Sequence, residues 1–362
     1  MCLSPDITET LARARADLRM GVPVVMAGHD SAMLVIAAET LSAERLEAIR
    51  ALPADPVLAI TARRAETLKA RAYDGDLARV KVPRDAGCGW IQSIADPADD
   101  LNSPMKGPLA SERDGTADLA RLAIQLTKSA RMLPAALMVE ITDNGFAKAH
   151  NLTHIHVADA GAHMLNASPL HPIVSARLPL QVSEAGRLYV FRPEDGAEEH
   201  YAVEIGRPDR DAPVLSRLHS ACFTGDLLGS LKCDCGPQLR GALAQMGTEG
   251  AGVLLYLNQE GRGIGLANKM RAYSLQDQGF DTVEANHRLG FEDDERDFRI
   301  GADILKQMGF SSVRLLTNNP GKIAMMEQQG VHVAERVPLK VGENPHNHAY
   351  LATKAAKSGH ML

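Results

Sequence analysis

The 362-residue chain has few aromatic residues, with one Trp and seven Phe, and it lacks any apolar run of the roughly 20 residues that a membrane helix requires. A membrane protein is therefore not expected. Residues 1–20 contain no apolar run of signal-peptide length, so we expect a cytoplasmic protein. The chain also lacks a net positive charge, since its formal net charge is −6. Because phosphate-backbone binding depends on clustered Lys and Arg, the sequence predicts no nucleic-acid partner.

Cysteine is scarce as well, and five residues in a chain of this length exclude the disulfide framework of a small secreted domain. Three of the five lie within fourteen residues: Cys222, Cys233 and Cys235. Three thiolates that leave the fourth zinc position to water are typical of a catalytic metal site, whereas structural zinc usually has four protein ligands. A closed site completed by His219 or a distant His, and three reduced thiols without metal, are the alternatives.

The length of the chain predicts two domains, at about 150 residues each. A proline-containing stretch over 168–179 marks the change of pattern between them, so we expect one domain over 1–170 and another over 173–362. An amphipathic helix over 7–20 opens the first domain, and a Gly-, Pro- and Asp-rich stretch over 85–114 predicts a long loop or lid inside it. The fold class is α/β and α+β, with a mixed sheet in the C-terminal domain.

In the second domain, two apolar strands are each followed by a segment suited to ligand binding. The strand over 252–257 leads into a Gly-rich loop over 258–265 and then into a helix, and the strand over 313–316 leads into a turn over 317–321 and a helix beginning near Lys322. In α/β sheets, ligands bind in the loops that follow strands. These two connections are therefore candidate binding segments.

The Gly-rich loop, QEGRGIG, resembles a dinucleotide fingerprint only at first sight. The third glycine of G-x-G-x-x-G would fall at position 266, which is Leu266, and this excludes a Rossmann site. The loop places flexible backbone amides beside Glu260 and Arg262 at the entrance to a helix, which suits a polar, partly anionic ligand. A tight strand-to-helix turn without a ligand is the alternative.

Two charged segments have both a functional and an ordinary interpretation. Lys322 beside a helix N-terminus is typical of phosphate binding, although Leu316 occupies the place of the first Gly of a Walker loop, and a solvated turn is equally compatible. The acidic segment over 291–298 places Asp294 two residues before Arg296. Taken by itself, such a charge run predicts an exposed helix start.

Together, the segments over 173–362 resemble GTP cyclohydrolase II, the zinc enzyme that opens the riboflavin pathway. The resemblance rests on the runs RLHSAC, TGDLLGSLKCDCGPQL, YLNQEGRGIGLANKMRAYSLQDQGFDTVEAN, DDERDF, RLLTNNPGKI and ERVPLKVGENPHNHAYLATKAAKSGHML. It implies hydrolysis of GTP to formate, pyrophosphate and 2,5-diamino-6-(5-phosphoribosylamino)pyrimidin-4(3H)-one. It further implies one Zn²⁺ per chain, Mg²⁺ with the triphosphate, and a homodimer.

The same resemblance implies roles for individual residues. Zinc would be held by Cys222, Cys233 and Cys235. The implied substrate-binding residues are Arg217, His219, Ser220, Gln238, Glu260, Gly261, Arg262, Thr282, Thr317 and Lys322. Asp294 is the implied proton acceptor, Arg296 the implied nucleophile, and Tyr273 lies near the ring-opening site. Because a guanidinium with a pKa above about 12 must lose a proton before it attacks, an electrostatic role for Arg296 is the alternative.

One position departs from the family pattern. Ala221 stands where the family places Glu, immediately before the first zinc cysteine, and Glu260 or Tyr273 is a candidate for the missing polar contact. The departure leaves open a cyclohydrolase II paralogue in pyrimidine catabolism. A non-catalytic nucleotide-binding regulator is the other alternative. The open set of three cysteines, together with Asp294 and Arg296, favours an enzyme.

The first half resembles, more faintly, 3,4-dihydroxy-2-butanone 4-phosphate synthase, in AAETLSAERLEAI, VLAITARRAETL, GTADLARLA, PAALMVEI and FAKAHNLTHIHVADAGAH. However, AGHDSAML follows VPVVM where that family has its magnesium-binding acidic run, RDGT around Gly115 replaces its Gly-His-Thr segment, and Val139 replaces its Cys. We therefore predict a degenerate domain that folds without catalysing. His29, Asp30 and Glu140 are expected to be structural or surface residues.

Overall fold

The computed structural model describes residues 3–29, 31–142, 145–165, 168–348 and 361. The chain forms two compact units: the first contains residues 1–166 and 267–295, and the second contains residues 167–266 and 296–362. The division after residue 166 lies close to the expected boundary at 170. The inclusion of residues 267–295 in the first unit was not expected. In the part of the chain that is described, no helix is both long enough and apolar enough to cross a membrane.

The strands are β1 (Val24–Ala27), β2 (Ala32–Ala37), β3 (Val57–Thr61), β4 (Leu77–Lys81), β5 (Ala135–Ile141), β6 (His154–His156), β7 (Leu170–Arg177), β8 (Gly186–Pro193), β9 (His200–Ile205), β10 (Val214–Ser220), β11 (Gly252–Leu257), β12 (Ser312–Leu316) and β13 (His332–Val337). The α-helices are α1 (Ile7–Arg19), α2 (Ala43–Arg50), α3 (Ala62–Leu68), α4 (Cys88–Ala95), α5 (Asp118–Ser129), α6 (Phe146–Ala149), α7 (Val157–Leu165), α8 (Cys235–Glu249), α9 (Leu266–Asp277), α10 (Thr282–Leu289), α11 (Arg299–Gln307) and α12 (Pro320–Gln328).

The first unit is built on a six-stranded sheet in the order β4-β3-β5-β2-β1-β6, in which only the β1–β6 pair is parallel among the described strands. Helix α1 begins with a capping box, in which Asp6 accepts from the backbone N–H of Glu9. Leu11, Ala14 and Leu18 follow at helical spacing and are buried in the core shared with α5 and the sheet. The predicted helix over 7–20 is confirmed.

The second unit is built on a seven-stranded mixed sheet in the order β13-β12-β10-β11-β9-β8-β7. The neighbours from β13 to β11 pair in parallel, and those from β11 to β7 pair antiparallel. Buried side chains lie on both faces of the sheet: α8 contributes Met246 to one core, and α11 contributes Ile304 to the other. The two mixed sheets confirm the predicted α/β and α+β class.

This topology brings the carboxyl ends of β10, β11 and β12 to one edge of the sheet. Ser220, at the end of β10, is in register with Leu257, at the end of β11. The segments after these strands contain the predicted cysteine cluster, the Gly-rich loop and the turn at Thr317. Parallel pairing alone therefore gathers three predicted binding segments that are far apart in sequence.

Several local predictions are confirmed, and two are wrong. The strand over 252–257 is observed as predicted, and α12 begins two residues before Lys322 because Asn319 caps it and Pro320 is favoured at the first helical position. The stretch over 85–114 contains a helix, α4, whose buried face includes Ile91 and Ile94. The acidic segment over 291–298 does not start a helix, since α11 begins only at Arg299.

Candidate active site and metal centre

Three thiols lie together at the edge of the sheet where β10 ends. The sulfur atoms of Cys222, Cys233 and Cys235 are all within 4.8 Å of one another, and those of Cys222 and Cys233 are 3.7 Å apart. Cys222 follows β10, and Cys235 is the first residue of α8. Within the described ranges, they form the one group of three or more His, Cys, Asp or Glu side chains close enough to share a metal ion.

The loop between the first two cysteines is shaped around the sulfur atoms by a glycine. A Cβ on Gly225 would lie 2.7 Å from Cys233 Sγ and 3.0 Å from Cys222 Sγ, so that only glycine leaves room at this position. The backbone N–H of Gly225 donates to Cys222 Sγ at 3.3 Å. The loop thus surrounds the sulfurs closely and directs a positive dipole at one of them, as the outer shell of a metal site does.

The chemistry of this donor set fits a zinc ion. Hydrogen bonding among the three thiols raises the pKa of Cys235 well above its usual value, with burial adding to the shift, and hydrogen bonding from Cys222 likewise raises the pKa of Cys233. Three thiolates at this spacing therefore need a cation, which displaces the protons from the ligands. Soft sulfur ligands select zinc among the common divalent ions, and three protein ligands leave a fourth position open.

His219 does not complete a closed site in this arrangement. Its Nε2 lies 3.0 Å from both carboxylate oxygens of Asp226, and burial lowers its pKa despite that carboxylate. The imidazole is therefore neutral near pH 7, and its Nε2–H donates a hydrogen bond to Asp226. The alternative of a four-ligand structural site with His219 is not supported by this geometry.

Asp226 is a site residue that the sequence did not indicate. Its carboxylate accepts hydrogen bonds from the backbone N–H of Cys222 and from the hydroxyl of Tyr256, both at 3.0 Å, in addition to its contact with His219. Burial raises the pKa of Tyr256, and the charge of Asp226 raises it further. The hydroxyl therefore stays protonated and donates a hydrogen bond to Asp226. One buried carboxylate thus fixes the backbone at Cys222 to two strands of the sheet.

A buried arginine, Arg217, lies on β10, the strand that leads into the loop between Cys222 and Cys233, here called the metal loop. Arg217 donates from Nη1 to the carbonyl of Leu316 at 3.1 Å and from Nη2 to Gln238, whose own amide donates to Asp234. The Nε of Arg217 has no hydrogen-bond partner among the described residues. Burial lowers the pKa of Arg217 to about 10, so the side chain is still protonated near pH 7. Gln238 thereby links β10 to the first turn of α8.

Two further cations share one aromatic ring at the same edge. The guanidinium carbon of Arg296 is 4.7 Å from the ring centre of Phe298, and Nζ of Lys322 is 4.8 Å from it. Arg296 Nη1 also donates to the hydroxyl of Ser220 at 3.4 Å, and buried Lys322 donates to the carbonyl of Leu218 at 2.8 Å. Two cations held at one place suit an anionic group such as a phosphate.

The Gly-rich loop has an unusual backbone. Gly261 and Arg262 have φ values of 63° and 61°, and the second is costly for a residue with a Cβ. Glu260 bridges this loop to the metal loop, since its carboxylate accepts from the backbone N–H of Phe223 at 2.5 Å and from that of Gly261 at 2.8 Å. The carboxylate of Glu260 therefore contacts the backbone of Phe223, the residue after Cys222. Position 221, where the family resemblance implies a Glu, is Ala in this chain.

Four further residues that were predicted to belong to the site, Thr317, Tyr273, Thr282 and Asp294, lie on other segments of the chain. Thr317 is buried, and its hydroxyl accepts from the backbone N–H of Asn319 at 3.0 Å. Tyr273, Thr282 and Asp294 belong to the first unit. Tyr273 lies on α9 and Thr282 is the first residue of α10, where its hydroxyl accepts from the amide of Gln276 at 3.2 Å. Asp294 is exposed on the segment that follows α10.

Replacing Gly225 by Ala should abolish metal binding while leaving the fold intact. The added methyl group would lie 2.7 Å from Cys233 Sγ, so the sulfurs must separate, and we expect bound zinc to fall at least about tenfold. Zinc per chain, measured by mass spectrometry, checks this. Gly241→Ala is the control, because its methyl group would make only ordinary contacts of 3.5–3.7 Å. Full zinc content in Gly225→Ala would contradict the packing described here.

Comparisons with known proteins agree with this site. The family model of GTP cyclohydrolase II matches residues 171–338. A GTP cyclohydrolase-2 of Azospirillum brasilense is 42% identical over 360 residues, which are 97% of this chain and 93% of that protein. A GTP cyclohydrolase-2 of Azotobacter vinelandii is 57% identical over 175 residues, 48% of this chain and 84% of that protein. A third, from Pseudomonas paraeruginosa, is 56% identical over 190 residues, 52% of this chain and 92% of that protein.

A solved structure, RibBX, a two-domain 3,4-dihydroxy-2-butanone 4-phosphate synthase from A. baumannii, covers 93% of this chain at 17% identity and a TM-score of 0.34. That similarity is too weak to support a conclusion about either unit. The similarity to the Azospirillum protein, in contrast, extends over nearly the whole of both chains and includes the N-terminal half. Together with the family match over residues 171–338, which include the three thiols, it means that the chain belongs to the GTP cyclohydrolase II family.

Proposed function

We propose that this chain catalyses the zinc-dependent hydrolysis of GTP to 2,5-diamino-6-(5-phosphoribosylamino)pyrimidin-4(3H)-one, formate and pyrophosphate, the first step of riboflavin biosynthesis. The observation that supports it most is the cluster of three thiols with sulfurs within 4.8 Å. Three ligands are what a catalytic zinc ion requires, and the predicted phosphate-binding cations lie at the same edge of the sheet. We propose further that the protein acts as a cytoplasmic homodimer.

The residues around the thiols suit ring opening. Zinc bound by Cys222, Cys233 and Cys235 supplies Lewis acidity for the hydration of the guanine ring at C8. Asp226 and Glu260 hold the backbone of the metal loop from two sides, through Cys222 and Phe223. This preorganisation keeps the ligands in place without rearrangement during the reaction.

The cations suit the triphosphate. We assign Arg296 and Lys322 to charge stabilisation where pyrophosphate leaves, with Mg²⁺ entering as part of the substrate complex and Arg217 and Arg262 as further contacts. The contact of Arg296 with the ring of Phe298 favours its protonated form, because a cation is attracted by the ring face and a neutral guanidine is not. This favours an electrostatic role for Arg296 over a nucleophilic one.

Ala221 supports a second candidate, a paralogue that opens another ring in pyrimidine catabolism. The loss of the family's Glu beside the first zinc cysteine changes the polar groups near the base. Glu260, whose carboxylate accepts from the backbone N–H of Phe223 at 2.5 Å, brings a carboxylate to the loop that follows Ala221, and we therefore keep GTP as the favoured substrate. A binding protein without turnover needs no open metal position, and we place it third.

We propose that the first half of the chain is a synthase-like fold without its own catalysis. Glu140 is exposed on β5 and His29 is exposed after β1, while Asp30 lies outside the described residues. Within the described ranges, the first unit contains no group of three or more His, Cys, Asp or Glu side chains that could hold a metal. A sugar-phosphate lyase of that family needs clustered carboxylates on a divalent cation.

The first test is turnover of GTP by the full chain with zinc and magnesium. We expect formate and a pyrimidine chromophore from the wild type, and at least a hundredfold less (~10²) from Cys233→Ser, since metal activation contributes several kcal/mol. Cys233→Ser should still release pyrophosphate. Cys88→Ser, which changes a free thiol on α4, is the control. Formate release by Cys233→Ser at the wild-type rate would refute the metal role, and tight GTP binding without turnover by the wild type would favour a regulator.

The role of Arg296 is tested by two substitutions. Arg296→Ala should lower product formation about a thousandfold, as expected when a positioned cation is lost at a transferring phosphoryl group. Arg296→Lys should retain substantial activity if the side chain stabilises charge. Arg314 lies on β12 and forms ion pairs with Glu249 on α8 and Glu335 on β13, and Arg314→Ala, which removes both pairs, serves as the control. A trapped phosphoryl adduct on Arg296 in the wild type would instead support the nucleophilic role.

The absence of synthase activity is tested with ribulose 5-phosphate and magnesium. We expect the full chain to form no dihydroxybutanone phosphate, because the carboxylate run of that family is missing. Product is measured against a blank with metal alone. Turnover above the blank would mean that His29, Asp30 or Glu140 contributes to an active site.

A further inference from the structure

The segment that carries Asp294 is held on both sides by cations from the first half of the chain. Arg63 Nη2 lies 2.8 Å from Glu292 Oε2, and its Nε lies 3.1–3.2 Å from both carboxylate oxygens of Glu292. Lys128 Nζ lies 2.6 Å from Glu295 Oε1. All of these residues belong to the first unit. Two ion pairs thus flank Asp294 within the acidic segment over 291–298, one at each end of its run of four acidic residues, 292–295.

The acidic segment has no regular structure of its own to hold it. It lies between the end of α10 at Leu289 and the start of α11 at Arg299. Within the segment, the backbone N–H of Glu292 donates to Glu295 Oε1 at 2.9 Å. The same oxygen accepts from Lys128, so the ion pair also stabilises this local turn. From α10, Asn286 donates to the carbonyls of Glu292 and Asp293 at 3.4 Å, and His287 Nε2 lies 2.8 Å from Asp293 Oδ1. The ion pairs of Arg63 and Lys128 add to these contacts at the two ends of the run that contains Asp294.

The start of the segment is fixed by close packing against the same half of the chain. Thr61 donates from its hydroxyl to the carbonyl of Gly290 at 2.8 Å. A Cβ on Gly290 would lie 2.8 Å from that hydroxyl oxygen and 2.9 Å from Pro134 Cγ, and its φ of 89° also favours glycine. Phe291 is buried, and Lys128 Nζ lies 5.7 Å from its ring centre. The chain is therefore fixed by close packing at Gly290 and Phe291, and the residues that follow are held by the ion pairs to Arg63 and Lys128.

On one side, the ion-paired residues border a cavity and are not packed against other side chains. Arg63, Lys128 and Glu292 line a cavity of about 420 Å³ that also includes Arg121 and Asp76. The hydrogen bond from Arg63 lowers the pKa of Glu292, so this carboxylate is ionised near pH 7 and the pair is charged on both sides. Because the side chains of Arg63 and Glu292 border this cavity, they could move without displacing neighbours. The ion pair between them restricts that movement.

We infer that Arg63 and Lys128 are positioning residues for the cyclohydrolase reaction, because they hold the acidic segment and with it the backbone of Asp294. The inference rests on the proposed function and on the role of proton acceptor that the resemblance to the GTP cyclohydrolase II family implies for Asp294. It gives the first half of the chain a task in catalysis that requires no active site of its own. A misplacement of about 1 Å at a catalytic group can cost about a hundredfold in rate, so loss of one of two ion pairs should cost about tenfold.

The chain offers a closely matched control for Arg63. Arg121 contacts Asp76 in the same bidentate manner, at 2.9 and 3.0 Å, and lines the same cavity. The two arginine side chains are equally exposed, at 39%, and their partners are exposed at 55% and 57%. The partner of Arg121, however, does not belong to the acidic segment. Arg121 also contacts Asp118 at 3.1 Å and the carbonyl of Asp74 at 3.2 Å, so a general effect of losing a surface ion pair should be at least as large in Arg121→Ala as in Arg63→Ala.

The experiment compares Arg63→Ala, Lys128→Met and Arg121→Ala in the full-length protein with zinc and magnesium. We expect kcat for formate release to fall about tenfold in the first two, with KM for GTP within about twofold and unchanged zinc content, and no change in Arg121→Ala. Lys128→Arg should restore activity, as should the charge-reversed pair Arg63→Glu with Glu292→Arg. Hydrogen exchange of the amides over 291–296 should accelerate in Arg63→Ala and not in Arg121→Ala.

Three results would overturn the inference. The first is an Arg63→Ala, Lys128→Met double variant with wild-type kcat. The second is an equal loss of activity and thermal stability in Arg63→Ala and Arg121→Ala, which would indicate a merely structural role. The third is unchanged hydrogen exchange over 291–296. A wild-type protein that releases no formate would instead overturn the proposed function itself, so the two failures are distinguishable.

Discussion

Three sulfur atoms within 4.8 Å of one another are the constraint on which the geometry of the candidate active site depends. Thiolates at this spacing repel unless a cation lies among them, and the loop around them leaves no free volume. Gly225 is required because any Cβ would meet two of the sulfurs. Gly236 is equally restricted, since a Cβ there would lie 2.1 Å from the carbonyl oxygen of Gly225. The start of α8 and the end of β10 are therefore joined through the metal site.

Asp226 extends this constraint into the sheet. Its carboxylate joins the backbone of Cys222 to His219 on β10 and Tyr256 on β11, and these two rings stack with their centres 5.6 Å apart. A buried carboxylate is costly unless it is fully hydrogen-bonded, and here three donors satisfy it. The metal loop is consequently a continuation of the rigid parallel part of the sheet. Ligand geometry of this kind suits catalysis because little reorganisation is needed.

The first unit includes a part of the family match that lies far along the chain from the N-terminal half. Residues 267–295 lie within the family match yet belong to the first compact unit. Arg271 illustrates the attachment, since it contacts both Glu39 and Asp96 at 3.1 Å. The buried pair of Arg64 and Asp100 lies nearby, with Arg288 3.7 Å from the same carboxylate. These charged contacts hold α9, α10 and the acidic segment against helices and loops of the N-terminal half.

The sequence by itself determined the features that depend on neighbouring residues. The spacing of the three cysteines, the strand over 252–257 and the helix start at Pro320 follow from ligand chemistry, apolar pattern and capping rules that act within a few residues. Only the tertiary structure decided the roles of Asp226 and Arg63. Arg63 meets Glu292 across 229 positions of sequence, and a charged residue in a polar stretch shows no local sign of its partner. Such contacts arise from how the sheets bring distant segments together, and this is set by the packing of the whole chain.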